Sequence, residues 1–315
     1  MYIRTLTIKN FRCFDQLTLD FSAPITVITG SNGSGKSSLI EALHYGCYLR
    51  SFRTHQARAL IAFGKETFIV QLLLGQPETA ESHLLHIGFA GAKRVVRFDN
   101  TLVKSYKEIS SVYRAVTISA DDFLLIQGEP ETRRIFLDQA LSLYEPAMVM
   151  QLRAARRILE QRNYFLSQKK KLATAASEDE IWTYQLWKAT RYIQEQRYIF
   201  IGKLCNKMNT LVSEWLDPDI LIQLRYAPKK DMLQTDSFDL FLNQNQELFA
   251  LEQVLGRSCF GVHLDDFAID FRNRKSRQFA SRGQQKLIVM LLKIAYMQLL
   301  LEYGEGGGQK YFFAR

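Results

Sequence analysis

The chain has 315 residues, which is long enough for one large domain or two lobes, and its 47% hydrophobic and 23% charged residues exclude a disordered protein. It carries 41 Lys and Arg against 32 Asp and Glu, a formal net charge of +9, which fits a polyanionic partner without establishing one. The four cysteines lie far apart and indicate neither a zinc site nor a disulfide framework.

The N-terminal part is predicted to alternate between strands and turns. Apolar and polar residues alternate over residues 3–8 and 17–21, and a short apolar run at 25–29 predicts a further strand. A helix is expected from Lys36 to about Tyr48. Residues 66–118 are rich in strand-forming residues, with turns expected at 75–77, 91 and 99–100.

The composition changes after Pro146. Residues 147–172 and 181–216 are poor in Gly and Pro and rich in helix formers, which predicts a helical hairpin with a turn and helix cap at 177–180. Residues 219–280 are predicted to form short strands and turns. A last helix is expected at 281–303, ended by the glycine-rich residues 304–308.

No membrane association is expected. The most apolar stretch, residues 287–301, is shorter than the run of about 20 residues that spans a bilayer, and Lys293 interrupts it. The first residues lack the apolar region of a signal peptide. Together with the dispersed cysteines, these features predict a cytoplasmic protein.

Eight consecutive residues match the phosphate-loop pattern GxxxxGK[ST] in full. They are Gly30, Ser31, Asn32, Gly33, Ser34, Gly35, Lys36 and Ser37. The glycines allow successive backbone N–H groups to point at a phosphate. Lys36 is expected to reach the β- and γ-phosphates of ATP, and the Ser37 hydroxyl is expected to ligate Mg²⁺. The loop alone does not distinguish transporter ATPases, nucleotide kinases, GTPases and DNA-repair ATPases.

A second phosphate-binding element is predicted at the start of the last helix. It consists of Ser281, Arg282, Gly283 and Gln284. A small hydroxyl and a glycine at a helix N-terminus suit an anion, and in ABC-type ATPases such a signature motif binds the γ-phosphate held by the opposite subunit. This interpretation predicts an ATP-dependent homodimer. An ordinary helix cap at Ser281 is the alternative.

The helical hairpin carries most of the excess positive charge. Residues 151–207 contain twelve Lys and Arg against five Asp and Glu, a net charge of +7. Arg162 belongs to the densest part of this stretch. The candidates for sequence-independent contact with DNA phosphates are Arg153, Arg156, Arg157, Lys169, Lys170 and Lys171. A solvated helix face is an equally good interpretation of this pattern.

The chain resembles the RecF family of bacterial recombination mediators over almost its entire length. Besides the phosphate loop and the signature motif at 281–284, the matching motifs are NFR at 10–12, SFR at 51–53, the stretch that begins DDFLLIQG at 121–138, and GVHLDDF at 261–267. The stretch at 121–138 is the most specific to the family. Val262 departs from the family pattern, which has proline at this position.

The resemblance implies an α/β fold: a P-loop ABC-type ATPase head, related to the heads of SMC proteins, with a mixed sheet, helices and an inserted helical hairpin lobe. It implies three parts, at 1–145, 146–218 and 219–315, and places Arg12 near the nucleotide. Such proteins bind ATP, dimerise on it and bind gapped or single-stranded DNA. With RecO- and RecR-type partners they support RecA loading, the SOS response and replication-fork recovery.

The catalytic residues are not identified by this resemblance. In the family, a Walker B strand with two acidic residues and a D-loop follow the signature helix. Residues 309–313 resemble the start of that strand, and the printed sequence reaches Arg315 without the acidic pair. Asp265, Asp266 and Asp270 precede the signature motif and cannot replace that pair. ATP binding with poor hydrolysis is therefore expected.

Two other functions stay open: a P-loop nucleotide or small-molecule kinase, and a transporter-type ATPase subunit. A kinase would need neither the signature motif nor a basic hairpin. A transporter subunit would carry an LSGGQ-like signature and lack the stretch at 121–138.

Overall fold

The computed structural model describes residues 2–23, 25–76, 79–91, 93–104, 115–169, 176–217, 219–235, 237–305 and 312–313. The chain forms two compact units. The first contains residues 1–118 and 301–315, and the second contains residues 119–300. Both boundaries of the predicted three-part division fall inside the second unit, and that division stays a prediction.

An antiparallel six-stranded sheet dominates the first unit. Its strands are β1 (Tyr2–Phe11), β2 (Phe14–Asp20), β3 (Thr67–Gln76), β4 (Thr79–Ala90), β5 (Lys93–Phe98) and β6 (Thr101–Leu102), in the order β2-β1-β3-β4-β5-β6. Leu6 and Ile8 of β1 pair with Leu72 and Val70 of β3, and all four side chains are buried. The alternation of apolar and polar residues predicted at residues 3–8 is therefore confirmed in β1.

The phosphate-loop helix, α1 (Lys36–Tyr48), begins and ends where the sequence predicts, and it packs against β1 and β3. A short parallel pair joins β7 (Ala115–Val116) to β11 (Phe312–Phe313), so a strand is present near the end of the printed sequence. The remaining residues of the predicted strand at 309–313 lie outside the described part of the chain.

The strand predicted at residues 25–29 is wrong. These residues have no regular secondary structure, and Ile25 and Val27 are 71% and 78% exposed. A strand needs hydrogen-bonding partners for its backbone groups. In the described part of the chain no strand pairs with this segment, so its apolar composition alone does not make it a strand.

The second unit is mainly helical. Its helices are α2 (Leu124–Gln127), α3 (Pro130–Tyr144), α4 (Met148–Lys169), α5 (Ala176–Trp215), α6 (Phe238–Gln244), α7 (Gln246–Leu255), α8 (Ser276–Phe279) and α9 (Arg282–Glu305), of which α9 has its last five residues in the first unit. Single turns of 3-10 helix lie at Ala57–Leu60 in the first unit, and at Ala120–Phe123 and Val262–Leu264 in the second. A three-stranded sheet, in the order β10-β9-β8, contains β8 (Ile222–Ala227), β9 (Asp266–Phe271) and β10 (Arg274–Lys275).

The predicted helical hairpin is present as α4 and α5, and α5 buries Leu186, Ile193 and Phe200 along one face. The turn predicted at 177–180 is wrong, because α5 already begins at Ala176. Ser and Asp are favoured at a helix cap, and acidic residues are favoured in the first turn. The same polar residues therefore fit either position, and here they lie inside the helix.

The prediction of strands and turns alone for residues 219–280 is also wrong, because α6 and α7 lie in this segment. The Ser237 side chain accepts a hydrogen bond from the Leu240 N–H and caps α6, and Gly256, at φ 70°, ends α7. These are ordinary helix start and stop signals, but each helix is short and offers only two or three turns of periodicity. The last helix continues through Gly304 to Glu305, beyond its predicted end.

Among the described helices, α9 is the one long and apolar enough by composition to cross a membrane. Half of its most apolar window is buried inside the protein, and Ile288, Leu292 and Ala295 are fully buried. The packing of a core helix accounts for that composition.

Candidate nucleotide and nucleic-acid sites

The phosphate loop depends on glycine where the backbone turns. Gly33 and Gly35 have φ angles of 84° and 92°, which residues other than glycine rarely adopt. A Cβ atom at Gly35 would lie 2.6 Å from the Phe14 ring and 2.7 Å from the Cys13 Sγ atom. The turn between β1 and β2 therefore packs directly against the loop, and only glycine fits at the contact.

Lys36 is held against the loop by two backbone carbonyls. Its ammonium donates to the carbonyl oxygens of Gly30, at 2.8 Å, and Ser31, at 2.7 Å. Helix α1 starts at this residue, with no side-chain cap at Gly35 and no acidic residue in its first turn. The N–H groups of the helix start and the ammonium thus form a positive end next to a solvent-exposed loop. These residues fit the phosphates of a nucleotide.

Arg12 is anchored to the same helix through a buried carboxylate. Its guanidinium donates to both oxygens of Glu41, at 2.9 and 2.7 Å, and to the carbonyl oxygen of Ala59, at 2.9 Å. Glu41 lies one helical turn after Ser37 and is 0% exposed. It also accepts a hydrogen bond from the Ser51 hydroxyl and lies 3.8 Å from the Arg53 guanidinium.

Sequence reasoning did not identify Glu41. The available signal was a single carboxylate within the otherwise apolar helical run SLIEALHY, directly after the phosphate loop. Glu41 brings together Arg12 and Arg53, which belong to the two arginine motifs at 10–12 and 51–53.

The predicted Mg²⁺ ligand, Ser37, is the second residue of α1 and is exposed. Within the described residues no group of three or more His, Cys, Asp or Glu side chains could hold a metal by itself. Mg²⁺ coordination through Ser37 and a nucleotide stays a prediction.

The signature motif forms a reciprocal helix cap. The Ser281 hydroxyl oxygen accepts from the Gln284 N–H at 3.3 Å, and the Gln284 side-chain oxygen accepts from the Ser281 N–H at 2.8 Å. The ordinary cap is therefore present at Ser281. Since the hydroxyl accepts in this bond, its proton can still be donated to a phosphate, and Ser281, Arg282 and Gly283 are exposed.

The basic hairpin separates into exposed and buried cations. Arg153, Arg156 and Arg157 are exposed on α4. Arg156 pairs with Glu160 at 2.9 Å. The run 169–171 begins at the last residue of α4, and Lys170 and Lys171 lie outside the described residues.

Arg162, in the same basic stretch, is buried and is not available to DNA. It is 1% exposed and donates to both carboxylate oxygens of Glu252, at 2.6 and 3.1 Å. Ser258 and Thr183 accept its remaining hydrogen bonds. A buried guanidinium needs such partners, and here they join α4 to α5 and α7.

The acidic residues before the signature motif are engaged in internal contacts. Asp265 is buried and accepts hydrogen bonds from Gln194 and Tyr226, and burial raises the pKa of its carboxyl. Arg133 donates twice to Asp266, at 2.8 Å each, and Arg225 donates to Asp270 at 2.9 Å. These contacts fit structural roles for the three carboxylates.

The AAA domain family matches residues 5–256 of the sequence. The chain belongs to the AAA domain family. Among relatives of known name, the DNA replication and repair protein RecF of Clostridium acetobutylicum is 28% identical over 307 residues, which cover 96% of this chain and 82% of that protein. The expected resemblance to the RecF family is confirmed.

Solved structures support the expected fold. The structure of the recombination mediator protein RecF-ATP in the RecFOR pathway has a TM-score of 0.86 to this chain at 24% identity, covering 99% of this chain and 83% of that one. The Smc head domain of Pyrococcus furiosus, solved with the C-terminal domain of ScpA, has a TM-score of 0.50 at 13% identity, covering 99% and 89%. The predicted P-loop ATPase head of mixed α and β structure is therefore confirmed, and at these identities the likeness concerns the fold alone.

Proposed function

We propose that this chain is an ATP-binding DNA replication and repair protein. It binds ATP with Mg²⁺ in the loop at residues 30–37 and binds DNA without sequence preference. By similarity to RecF, it acts in the cytoplasm at single-strand gaps and stalled forks, dimerises on ATP, and supports RecA loading and SOS induction with RecR- and RecO-type partners.

The observation that carries the nucleotide part is the arrangement of Lys36. Its ammonium is held at 2.8 and 2.7 Å by the loop carbonyls of Gly30 and Ser31, at the start of a helix that has no side-chain cap. A polyphosphate placed there would meet the ammonium, the loop N–H groups and the positive end of the helix together. Arg12, held by Glu41, supplies a further positive charge beside the loop. The two residues that follow it, Cys13 and Phe14, lie against Gly35.

ATP binding is expected to depend on Lys36. Removing the ammonium leaves phosphate charge uncompensated, a loss of about 2–3 kcal/mol for charge-assisted hydrogen bonds. Lys36→Ala should weaken ATP binding by about 30-fold to about 150-fold in equilibrium dialysis. Lys93→Ala, which removes an exposed ammonium at the start of β5, is the matched control and should not change the affinity. An unchanged affinity in Lys36→Ala would refute the assignment of the loop as the nucleotide site.

A further inference from the structure

A second basic surface surrounds the start of α9. Residues 272–286 contain six Lys and Arg and no Asp or Glu, a local charge of +6 in a chain of net +9. We call the six the α9 basic surface: Arg272, Arg274, Lys275, Arg277, Arg282 and Lys286. All six are exposed.

Little of this charge is neutralised by the residues that the structure describes. Among the described residues Arg277 lies 3.9 Å from Glu129, and the other five form no ion pair. The hairpin differs, because Arg156 pairs with Glu160 and Arg162 is buried against Glu252. The α9 basic surface therefore presents more uncompensated charge per residue than the described part of the hairpin.

The backbone beneath these cations is held in place. Arg272 and Asn273, at φ 51° and 61°, form the tight turn from β9 to β10. The buried Gln285 side chain donates to the carbonyl oxygens of Ser276, at 3.1 Å, and Ala280, at 2.9 Å. Gln127 donates to the Arg277 carbonyl oxygen at 3.2 Å. Because the backbone is already ordered, binding a ligand here costs less conformational entropy.

An exposed aromatic ring lies among the cations. Phe279 ends α8 and is 62% exposed, with the Arg274 guanidinium 5.7 Å from its ring centroid. The Phe279 ring therefore lies next to a guanidinium and is open to solvent. Basic residues that follow a phosphate backbone, combined with an aromatic ring on which a base can stack, are the chemistry of single-strand binding.

We propose that the α9 basic surface binds single-stranded DNA, with its cations on the phosphates and Phe279 stacked on an unpaired base. The inference rests on the proposed function, which makes DNA the partner, and it adds a site separate from the hairpin. Duplex DNA would use the cations alone, since its bases are already stacked on one another. The signature motif lies within the same segment, so the binding of single-stranded DNA and the binding of the ATP γ-phosphate would involve neighbouring residues.

The test uses the full chain, a thymidine oligonucleotide and a duplex, with fluorescence anisotropy over a range of salt concentrations. Replacing Arg274, Lys275 and Arg277 by Gln should lower the slope of log K against log salt for the oligonucleotide by up to about 0.7 per lost phosphate contact. Phe279→Leu should weaken oligonucleotide binding about fivefold to a hundredfold and leave duplex binding unchanged. Thermal melting of each variant checks that it is folded.

The matched control replaces three exposed cations of the first unit, Lys9, Lys93 and Arg97, by Gln. An effect of the α9 triple variant on the salt slope no larger than that of this control would overturn the proposal. Equal losses on both probes in Phe279→Leu would overturn the stacking role. If the unaltered chain bound neither probe, the proposed function itself would fail. If the unaltered chain bound both probes and the triple variant kept the same salt slopes, this inference alone would fail.

Discussion

The carboxylate of Glu41 joins two arginines that lie far apart in the sequence, Arg12 after β1 and Arg53 after α1. It is fully buried, whereas the Arg12 and Arg53 side chains are 23% and 47% exposed. One buried charge thus holds two partly exposed opposite charges next to the phosphate loop. We infer that Glu41 positions Arg12 for the nucleotide and does not itself contact the nucleotide.

Glu41→Gln is expected to weaken ATP binding and to lower the free energy of unfolding by about 2–3 kcal/mol, below the usual cost of breaking a buried pair because Arg12 is partly solvated. The measurements are ATP affinity and denaturant unfolding. The control is a double-mutant cycle with Arg12→Gln. If the pair is coupled, the double variant loses less than the sum of the two single losses. Additive losses would show that Glu41 and Arg12 act independently.

His263 carries a pH-dependent contribution to stability. Burial, together with the nearby Arg134 and Arg197 guanidinium groups, lowers its pKa from 6.5 to about 4. The unfolded chain therefore binds a proton between these two values and the folded chain does not, so this contribution is fully present above pH 6.5 and is lost as the pH falls towards 4.

The expected result is a decline in the free energy of unfolding with a slope approaching about 1.4 kcal/mol per pH unit in that window. His263→Asn removes the titrating group, and chemical denaturation of both proteins across the window isolates its share. Parallel curves for the two proteins would contradict a depressed histidine pKa.

At the scale of secondary structure, the hairpin of α4 and α5 combines internal ion pairs with an exposed basic face. Arg162 pairs with Glu252, and Arg197 donates to Asp138 at 2.6 Å. Both arginines are 1% exposed, so they fix the hairpin to the rest of the second unit and leave the solvent face to other cations. Arg153, Arg156 and Arg157 supply that face on α4.

Replacing Arg153, Arg156 and Arg157 by Gln should lower the salt slope of duplex binding by up to about 0.9 per lost phosphate contact. The Arg156–Glu160 pair is exposed on both sides, so losing it should change stability little. DNA binding is titrated at several salt concentrations, with melting temperatures as the folding check. A slope equal to that of the unaltered chain would mean that this face is only solvated.

At the scale of the whole molecule, the phosphate loop belongs to the first unit and the signature motif to the second. If two copies associate on ATP as proposed, each site takes its loop from one copy and its motif from the other. Ser281→Asp should retain the helix cap and place a carboxylate where the phosphate would approach.

Sedimentation with ATP should therefore show a monomer for Ser281→Asp and a dimer for the conservative control Ser281→Thr. Lys36→Ala alone should also stay monomeric. Mixing the Lys36→Ala and Ser281→Asp chains should restore heterodimers, because one of the two shared sites is then intact. A dimer of Ser281→Asp as stable as that of the unaltered chain would refute the shared site.

Local sequence signals identified much of this protein. The phosphate loop, the whole of α1, the alternating strands of the first unit and the long helices α4, α5 and α9 each carry a motif or several turns of periodicity. Helices α6 and α7 are too short for their periodicity to reveal them, and the apolar composition of residues 25–29 does not by itself make a strand.

The sequence by itself determined the family, the phosphate loop and the excess of positive charge. Tertiary structure decided which charges are available to a partner. Arg153 and Arg162 lie on one helix and look equivalent in the sequence, yet only Arg153 is exposed, because Glu252, 90 residues further along the chain, neutralises Arg162. Glu41 likewise gains its role from arginines outside its helix. Burying a charge is favourable only beside a partner, and partners distant in sequence are brought together only by folding.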